Sequence, residues 1–417
     1  MFHVTVLSNF ARAYDKYARV YDKARIPEST YPDEFYVLGE HELGIGIAKA
    51  QRLRARLPGD ELIALRTGVT ALTPNPRNGL GQVYASGRLP IDAVHAIDGD
   101  HLGEAWTVEQ AMARSLALRT FAPYAELRPR SISFLPVARG CQAACAFCFS
   151  EASVSTEQRH AALAAEVAGR WLDAAIARGA ERAVITGGGE PTLLRWPALL
   201  ELIRACRGRL AKVVLITNGV VLAADPNARA RDLRDAGLGV LAISRHHRDE
   251  GRNASLMKIA NATPRVIAAA RRAGLRTRLV CVLQRGSVDD ASAVADYVAW
   301  AETIGADEVC FKELYVATSE ESVYHSHAAN AWSAEHQVPL SHVLAWAESA
   351  GFGVAHELPW GAPVFASRER AIKVAAYTEP SLFWERTHGI ARSWNVMADG
   401  SCLASLEDRR SAIEVVA

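Results

Sequence analysis

From residue 131 onward, short runs of β-branched and apolar residues alternate with longer stretches in which Ala and Leu recur at helical spacing. Segments 131–137 (SISFLPV), 182–186 (RAVIT), 212–217 (KVVLIT), 239–244 (GVLAIS), 277–283 (TRLVCVL) and 308–314 (EVCFKEL) read as strands. A helix is predicted to begin near Ser155, where Ser155 and Gln158 have capping-box spacing. Further helical patterning covers 194–206, 228–236, 255–273 and 288–304. Strand and helix in strict alternation mean βαβ units and a parallel sheet. The fold class is therefore α/β, and six such units suit a partial or closed barrel better than a sandwich.

The flanks are more mixed, and both read as extra α+β regions. The N-terminus (MFHVTV) opens as a strand or loop, followed by helix-like stretches at 10–25 and 43–57 and a turn-rich loop at 73–81. The triplet Tyr14-Asp15-Lys16 recurs as Tyr21-Asp22-Lys23, which is one amphipathic surface helix and not a repeat. After about residue 335 a helix at 341–351 and a short strand at 353–356 precede a hairpin turning at Asp399-Gly400. This divides the chain into an accessory region (1–125), a core (126–335) and a C-terminal extension (336–417) placed to complete the barrel and cover a substrate site.

Half of the 417 residues are hydrophobic (50%) and 22% are charged, so a large core can form without disulfide staples. Basic and acidic residues balance, 47 against 46, which gives no excess or stripe for nucleic acid. No apolar run approaches the length of a spanning helix, and the N-terminus lacks the pattern of a secretory signal. A cytoplasmic location is the expectation. The 7 cysteines agree with a reducing compartment: three crowd together, while Cys206, Cys281, Cys310 and Cys402 are scattered. An odd count with one tight cluster reads as metal binding.

That cluster, Cys141-Gln-Ala-Ala-Cys145-Ala-Phe-Cys148, places three thiols on one compact loop, able to turn toward a cubane iron–sulfur cluster. Structural zinc sites usually take four protein ligands, and no fourth Cys or near His completes this one; His160 falls in the predicted helix. Three thiolates would leave one iron open to a substrate or cofactor. A zinc module and a plain electron-transfer cluster stay open on spacing alone. The glycine run Gly187-Gly188-Gly189, followed by Glu190-Pro191, closes the second strand, where a carboxylate can meet an ammonium group.

The CxxxCxxC loop resembles the signature of the radical S-adenosylmethionine superfamily, and Gly188, Gly189 and Glu190 resemble its GGE motif one βα unit later. The resemblance covers roughly 131–315. It implies a [4Fe–4S] cluster on Cys141, Cys145 and Cys148, and S-adenosylmethionine held through its amino group by the Glu190 turn. Phe147 takes the place of the aromatic residue near the adenine. The TNG-like turn at Asn218, Ser244 with Arg245, and Leu283 with Gln284 fall at strand ends that contact the cofactor in the family. Thr217-Asn218-Gly219 reads equally as a tight turn with positive φ, and Arg245, His246 and His247 as a solvated basic loop.

Substrate-facing candidates are Lys312 and Glu313, of which strand alternation allows one to point inward. Cys402 is the candidate hydrogen-atom donor; Cys206, Cys281 and Cys310 read as small buried hydrophobes. A second cysteine cluster is absent from the C-terminal segment, and the Asp98-Gly99-Asp100-His101 stretch has the wrong spacing for cobalamin. The resemblance implies a small-molecule enzyme of specialised metabolism performing a radical oxidation, epimerisation or rearrangement, reduced by an external flavodoxin- or ferredoxin-type donor. A peptide-modifying enzyme is the rival within the class, and a non-catalytic iron–sulfur carrier the rival outside it.

Overall fold

The computed structural model describes the strands between residues 2 and 106, and residues 122–150, 163–317, 322–338, 340–358, 362–377, 379, 385–386 and 389–414. Strands β1 (Phe2–Leu7), β2 (Phe35–Val37), β3 (Ile63–Gly68), β4 (Ala71–Pro74), β5 (Gly81–Tyr84), β6 (Ile91–Ala96) and β7 (Ala105–Trp106) form a 7-stranded sheet in the order β4-β5-β2-β1-β3-β6-β7. Every pairing in it is antiparallel. The turn-rich stretch at 73–81 joins β4 to β5, so its ends belong to strands. The helix-like stretches at 10–25 and 43–57, and the helix start near Ser155, lie outside the described residues.

The core follows the alternation read from the sequence. A short β8 (Arg128–Pro129) precedes β9 (Ile132–Leu135), β10 (Arg182–Ile185), β11 (Lys212–Thr217), β12 (Val240–Ser244), β13 (Arg276–Val282) and β14 (Glu308–Lys312), and β9 to β14 pair parallel in chain order. The connecting helices are α1 (Ala165–Ala177), α2 (Trp196–Arg207), α3 (Val220–Ala224), α4 (Pro226–Asp235), α5 (Glu250–Met257), α6 (Thr263–Arg272) and α7 (Ala291–Thr303), followed by α8 (Ala328–His336) and α9 (Ser341–Ser349). Asp225, Asp249 and Asp290 cap α4, α5 and α7, each accepting from a backbone N–H three residues on.

The stretch 255–273 is two helices where one was expected. Lys258 takes φ 59 at the end of α5, a left-handed cap, and α6 restarts at Thr263 with proline in its first turn.

The C-terminal segment extends this sheet at both edges. After β15 (Gly353–Glu357) and β16 (Pro363–Ala366), β17 (Lys373–Tyr377) pairs parallel with β14; β19 (Trp394–Met397) pairs parallel with β9 and turns back as β20 (Cys402–Leu403), while β18 (Ile390–Ala391) pairs with β8 in a separate 2-stranded sheet. The hairpin turns where Asp399-Gly400 predicted, with Gly400 at φ 88 and its carbonyl accepting from Trp171 of α1. The sheet is 11-stranded and open: β15 and β20 are its edges among the described residues, a partial barrel and not a closed one.

Each parallel strand buries two faces. Leu279, Cys281, Val309 and Phe311 face the helix layer and join the main hydrophobic core, while Val214, Val240, Ala242 and Val280 form a separate cluster on the concave face. The concave face opens at the strand C-termini.

Candidate active site

The cysteine loop leaves β9, and the glycine turn after β10 is clamped against its stem. Gly189 N donates to Val137 O at 2.9 Å and Glu190 N to Gly140 O at 2.8 Å. A Cβ on Gly189 would lie 2.2 Å from Gly140 O. The close approach that demands glycine is therefore between two backbones, not between backbone and ligand. Further along, Ala144 N donates to Met257 O, which ties the loop to the end of α5.

Glu190 is buried at 3% exposure, and four donors hold its carboxylate. Oε1 accepts from Thr192 N (3.0 Å), Thr192 Oγ1 (2.6 Å) and Thr217 Oγ1 (2.6 Å), and Oε2 accepts from Asn218 N at 2.8 Å. Oε1 is saturated, while Oε2 keeps capacity for a further donor. Asn218 lies in the tight turn its sequence allowed, with Gly219 beside it at φ 81, and its Nδ2 reaches Gln142 Oε1 (2.9 Å) and Cys141 Sγ (3.6 Å). Asn261, which sequence reasoning passed over, holds this corner together by donating to the Asn218 and Ser244 carbonyls.

Cys141, Cys145, Cys148, Phe147, Glu190, Asn218, Ser244 and Lys312 all line one cavity of about 310 Å³. All three thiols are free. Burial pushes the Cys145 thiol up to about 12, and the neighbouring Cys148 and Cys141 sulfurs push the same way. Burial also raises Cys141, although N–H donors from Ala143 and Asn218 oppose it. Cys145 and Cys141 therefore resist becoming anions unless a cation answers them.

This donor set fits an iron–sulfur cluster. Soft thiolates are its ligands, and each sulfur binds a different iron, so they need not meet at one point. Among the described residues no three His, Cys, Asp or Glu side chains close on a common point as a single metal ion requires. The spare Glu190 oxygen in the same cavity fits an ammonium group.

Three expectations are corrected. Arg245 was placed on the cofactor, yet its side chain is buried at 1% exposure away from the cavity. Its guanidinium donates to His247 O, Asn261 Oδ1 and Arg248 O and lies over Trp300, so it braces the β12 loop. Leu283 faces the core; Val280 and Val282, one residue out of phase, line the cavity. Cys402 is buried among core residues and lines none of the cavities described here, and burial raises its thiol well above the ordinary range. Cys310 is the isolated cysteine that does line the cavity.

His246, read from the sequence with Arg245 and His247 as a solvated basic loop, is instead buried. Parity along the strand brings it back to the cavity two residues after Ser244, where its ring meets Phe147 edge-on at 5.0 Å. Burial, then Lys312 and Arg245, lower its pKa to about 3, so the ring is neutral. Nδ1 accepts from Val282 N at 3.1 Å, which leaves the ring proton on Nε2. His247 instead accepts from Asp249 N beside the α5 cap.

Lys312 and Glu313 both face cavities. Lys312 ion-pairs with Glu379 at 2.6 Å on the wall of the first cavity, and both residues line a second one. Alternation does not exclude Glu313, because β14 ends at Lys312.

Residues 135–298 match the family model described as Radical SAM superfamily. No curated protein matches the chain. Among solved structures, it is similar to Streptococcus suis SuiB bound to S-adenosylmethionine (15% identity, 73% of this chain and 67% of that one, TM-score 0.46). SuiB bound to its precursor peptide SuiA matches at 14% identity over 88% and 74%, TM-score 0.46. A radical SAM methyltransferase from Sphaerobacter thermophilus matches at 16% identity over 82% and 83%, TM-score 0.42. With its cysteine loop and its Glu190 turn, the stretch 135–298 carries a radical S-adenosylmethionine superfamily domain.

Proposed function

We propose that this chain abstracts hydrogen from a small-molecule substrate of specialised metabolism, in an oxidation, epimerisation or rearrangement. Its cofactors are a [4Fe–4S] cluster and S-adenosylmethionine. The observation that carries the reading is one cavity lined by three free thiols and by a buried carboxylate with a spare acceptor position. The chemistry the two cofactors supply when bound is one-electron cleavage of the sulfonium bond, giving methionine and a 5′-deoxyadenosyl radical that takes the substrate hydrogen.

The chain's own residues do the rest. Cys141, Cys145 and Cys148 hold the cluster, and Glu190 Oε2 accepts from the ammonium of S-adenosylmethionine, set in place by Thr192 and Thr217. Asn218 steadies Cys141. Neutral His246 presents a donor on Nε2. Phe147, Met257, Val280 and Val282 supply apolar wall that keeps water from the reacting atoms. Cys141 and Cys148 are exposed, which suits electron delivery by a flavodoxin- or ferredoxin-type donor in a reducing cytoplasm.

A peptide substrate is the second reading. Among the described residues the antiparallel sheet of β1–β7 ends in edge strands β4 and β7, and an edge strand can pair with an extended peptide.

Incubating the reconstituted, reduced protein with S-adenosylmethionine tests the proposal. 5′-Deoxyadenosine forms with the wild type and is lost in Cys145→Ala. No 5′-deoxyadenosine from the wild type would instead make the chain an iron–sulfur electron carrier.

A further inference from the structure

The cofactor cavity has a lower end that the thiols and Glu190 do not use. Arg182, Arg278 and Glu308 line it there, toward the N-terminal ends of β10, β13 and β14. Arg278 precedes Val282 by four residues, so this end begins about 13 Å down the strand from the cavity mouth.

Sheet register gathers further positive charge on the same face. Lys212 pairs in register with Arg182, and Glu308 stands between Arg278 and Lys373. Arg278 takes both oxygens of Glu308, Nε to Oε1 at 2.8 Å and Nη2 to Oε2 at 3.1 Å. Arg182 is engaged in contacts of its own. Lys212 is different: it is half-buried, and among the described residues no carboxylate pairs with it. Burial, with Arg182 and Arg278, lowers its ammonium to about 8. A cation held among like charges costs stability until an anion answers it. Packing does not call for one, since Val214, two residues on, joins the apolar cluster of the concave face.

Resting on the radical-enzyme reading above, we propose that the lower end of the cavity is a substrate subsite for an anionic group, a carboxylate or a phosphate, with Lys212 as its counter-charge and Arg278 beside it. S-adenosylmethionine takes the upper end, against Glu190 and the thiols, so a substrate anchored below extends toward the reacting atoms. A cationic substrate would meet like charge at this end.

Anaerobic calorimetry on the cluster-reconstituted full chain, saturated with S-adenosylmethionine at low salt, tests this with butyrate, n-butyl phosphate, n-butanol and n-butylamine. At least one anion should bind about ten-fold more tightly than butanol, and the tighter of the two names the group. n-Butylamine should bind no better than butanol. Lys212→Met should weaken anion binding by about ten-fold while S-adenosylmethionine affinity is kept.

A second readout needs no variant. The charged groups around Lys212 are Arg182 on β10, Arg276 and Arg278 on β13, Glu308 on β14, His356 on β15 and Lys373 on β17. His356 is held below its ordinary value by burial, Lys373 and Lys212, so it stays neutral at pH 8. An anion against Lys212 raises its pKa, so binding at pH 8 should take up as much as about half a proton. Repeating the titration in buffers of different ionisation heat measures it. Anions that bind no better than butanol, anion binding unchanged in folded Lys212→Met, or no proton uptake in the wild type overturns the proposal. 5′-Deoxyadenosine formation in the same preparations reports separately: its absence sinks the radical reading, whereas anion selectivity decides this one.

Discussion

Gly189→Ala tests the joint between the glycine turn and the cysteine loop. The new Cβ would sit 2.2 Å from Gly140 O and 3.0 Å from Arg139 C, where ordinary contact begins at 3.4 Å. Both neighbours are backbone, so no side chain can swing aside, and the two strands of chain must part by about 1 Å. Two hydrogen bonds cross this seam, Gly189 N to Val137 O and Glu190 N to Gly140 O. Losing both costs about 1–3 kcal/mol, and the overpacking adds about 1–3 kcal/mol, so the loss is about 2–6 kcal/mol. Urea unfolding of the cluster-free protein under reducing conditions measures it, and iron content after reconstitution reports whether the thiols still hold a cluster. Gly353→Ala is the control: nothing lies within 4 Å of its added Cβ, and its effect should stay within about 0.5 kcal/mol. A Gly189→Ala variant as stable as the control, with full iron, refutes the reasoning that this glycine exists for backbone contact.

Glu190→Gln should weaken S-adenosylmethionine binding by about ten- to hundred-fold, the worth of a charge-assisted hydrogen bond, and Thr217→Val by less; equilibrium dialysis gives both, and an unchanged Kd removes Glu190 from the site. Cys402→Ala should cost about 1 kcal/mol of stability yet leave 5′-deoxyadenosine formation intact, since Cys402 sits in the core; lost cleavage in folded protein would contradict that placement. Burial, together with Arg182 and Arg278, lowers Lys212 to about 8. Between that value and its ordinary one the folded chain binds fewer protons than the unfolded chain, so the stability contribution of Lys212 rises with pH across this window. Lys212→Met should therefore raise Tm at pH 7, with the gain shrinking as pH climbs through the window; a gain that grows with pH reverses the sign and fails the argument.

Most of the core was legible because its strands are apolar on both faces and its helices carry regular patterning. The same double burial hid the phase. Nothing in TRLVCVL says whether Val282 or Leu283 looks into the barrel, and the structure chooses Val280 and Val282. Phase also sorts the β12 loop, sending Ser244 and His246 to the cavity and Arg245 outward. The motif residues were found because the cysteine loop and the glycine–glutamate turn carry the family resemblance. Of their supports, Thr217 was read only as part of a turn, and Thr192 and Asn261 were invisible, because ordinary polar residues become partners only once βα turns are side by side. Cys402 and Cys310 show the converse: identical side chains, separated in role by which face of a strand they occupy.

On the proposed function, Cys141, Cys145 and Cys148 hold a [4Fe–4S] cluster whose remaining iron is left for S-adenosylmethionine. Electron paramagnetic resonance of the reduced, anaerobically reconstituted protein tests it most directly. Adding S-adenosylmethionine should shift the cluster signal in the wild type, much less in Glu190→Gln, with no cluster signal in Cys145→Ala. Identical wild-type spectra with and without S-adenosylmethionine, or a cluster that survives Cys145→Ala, would contradict the account.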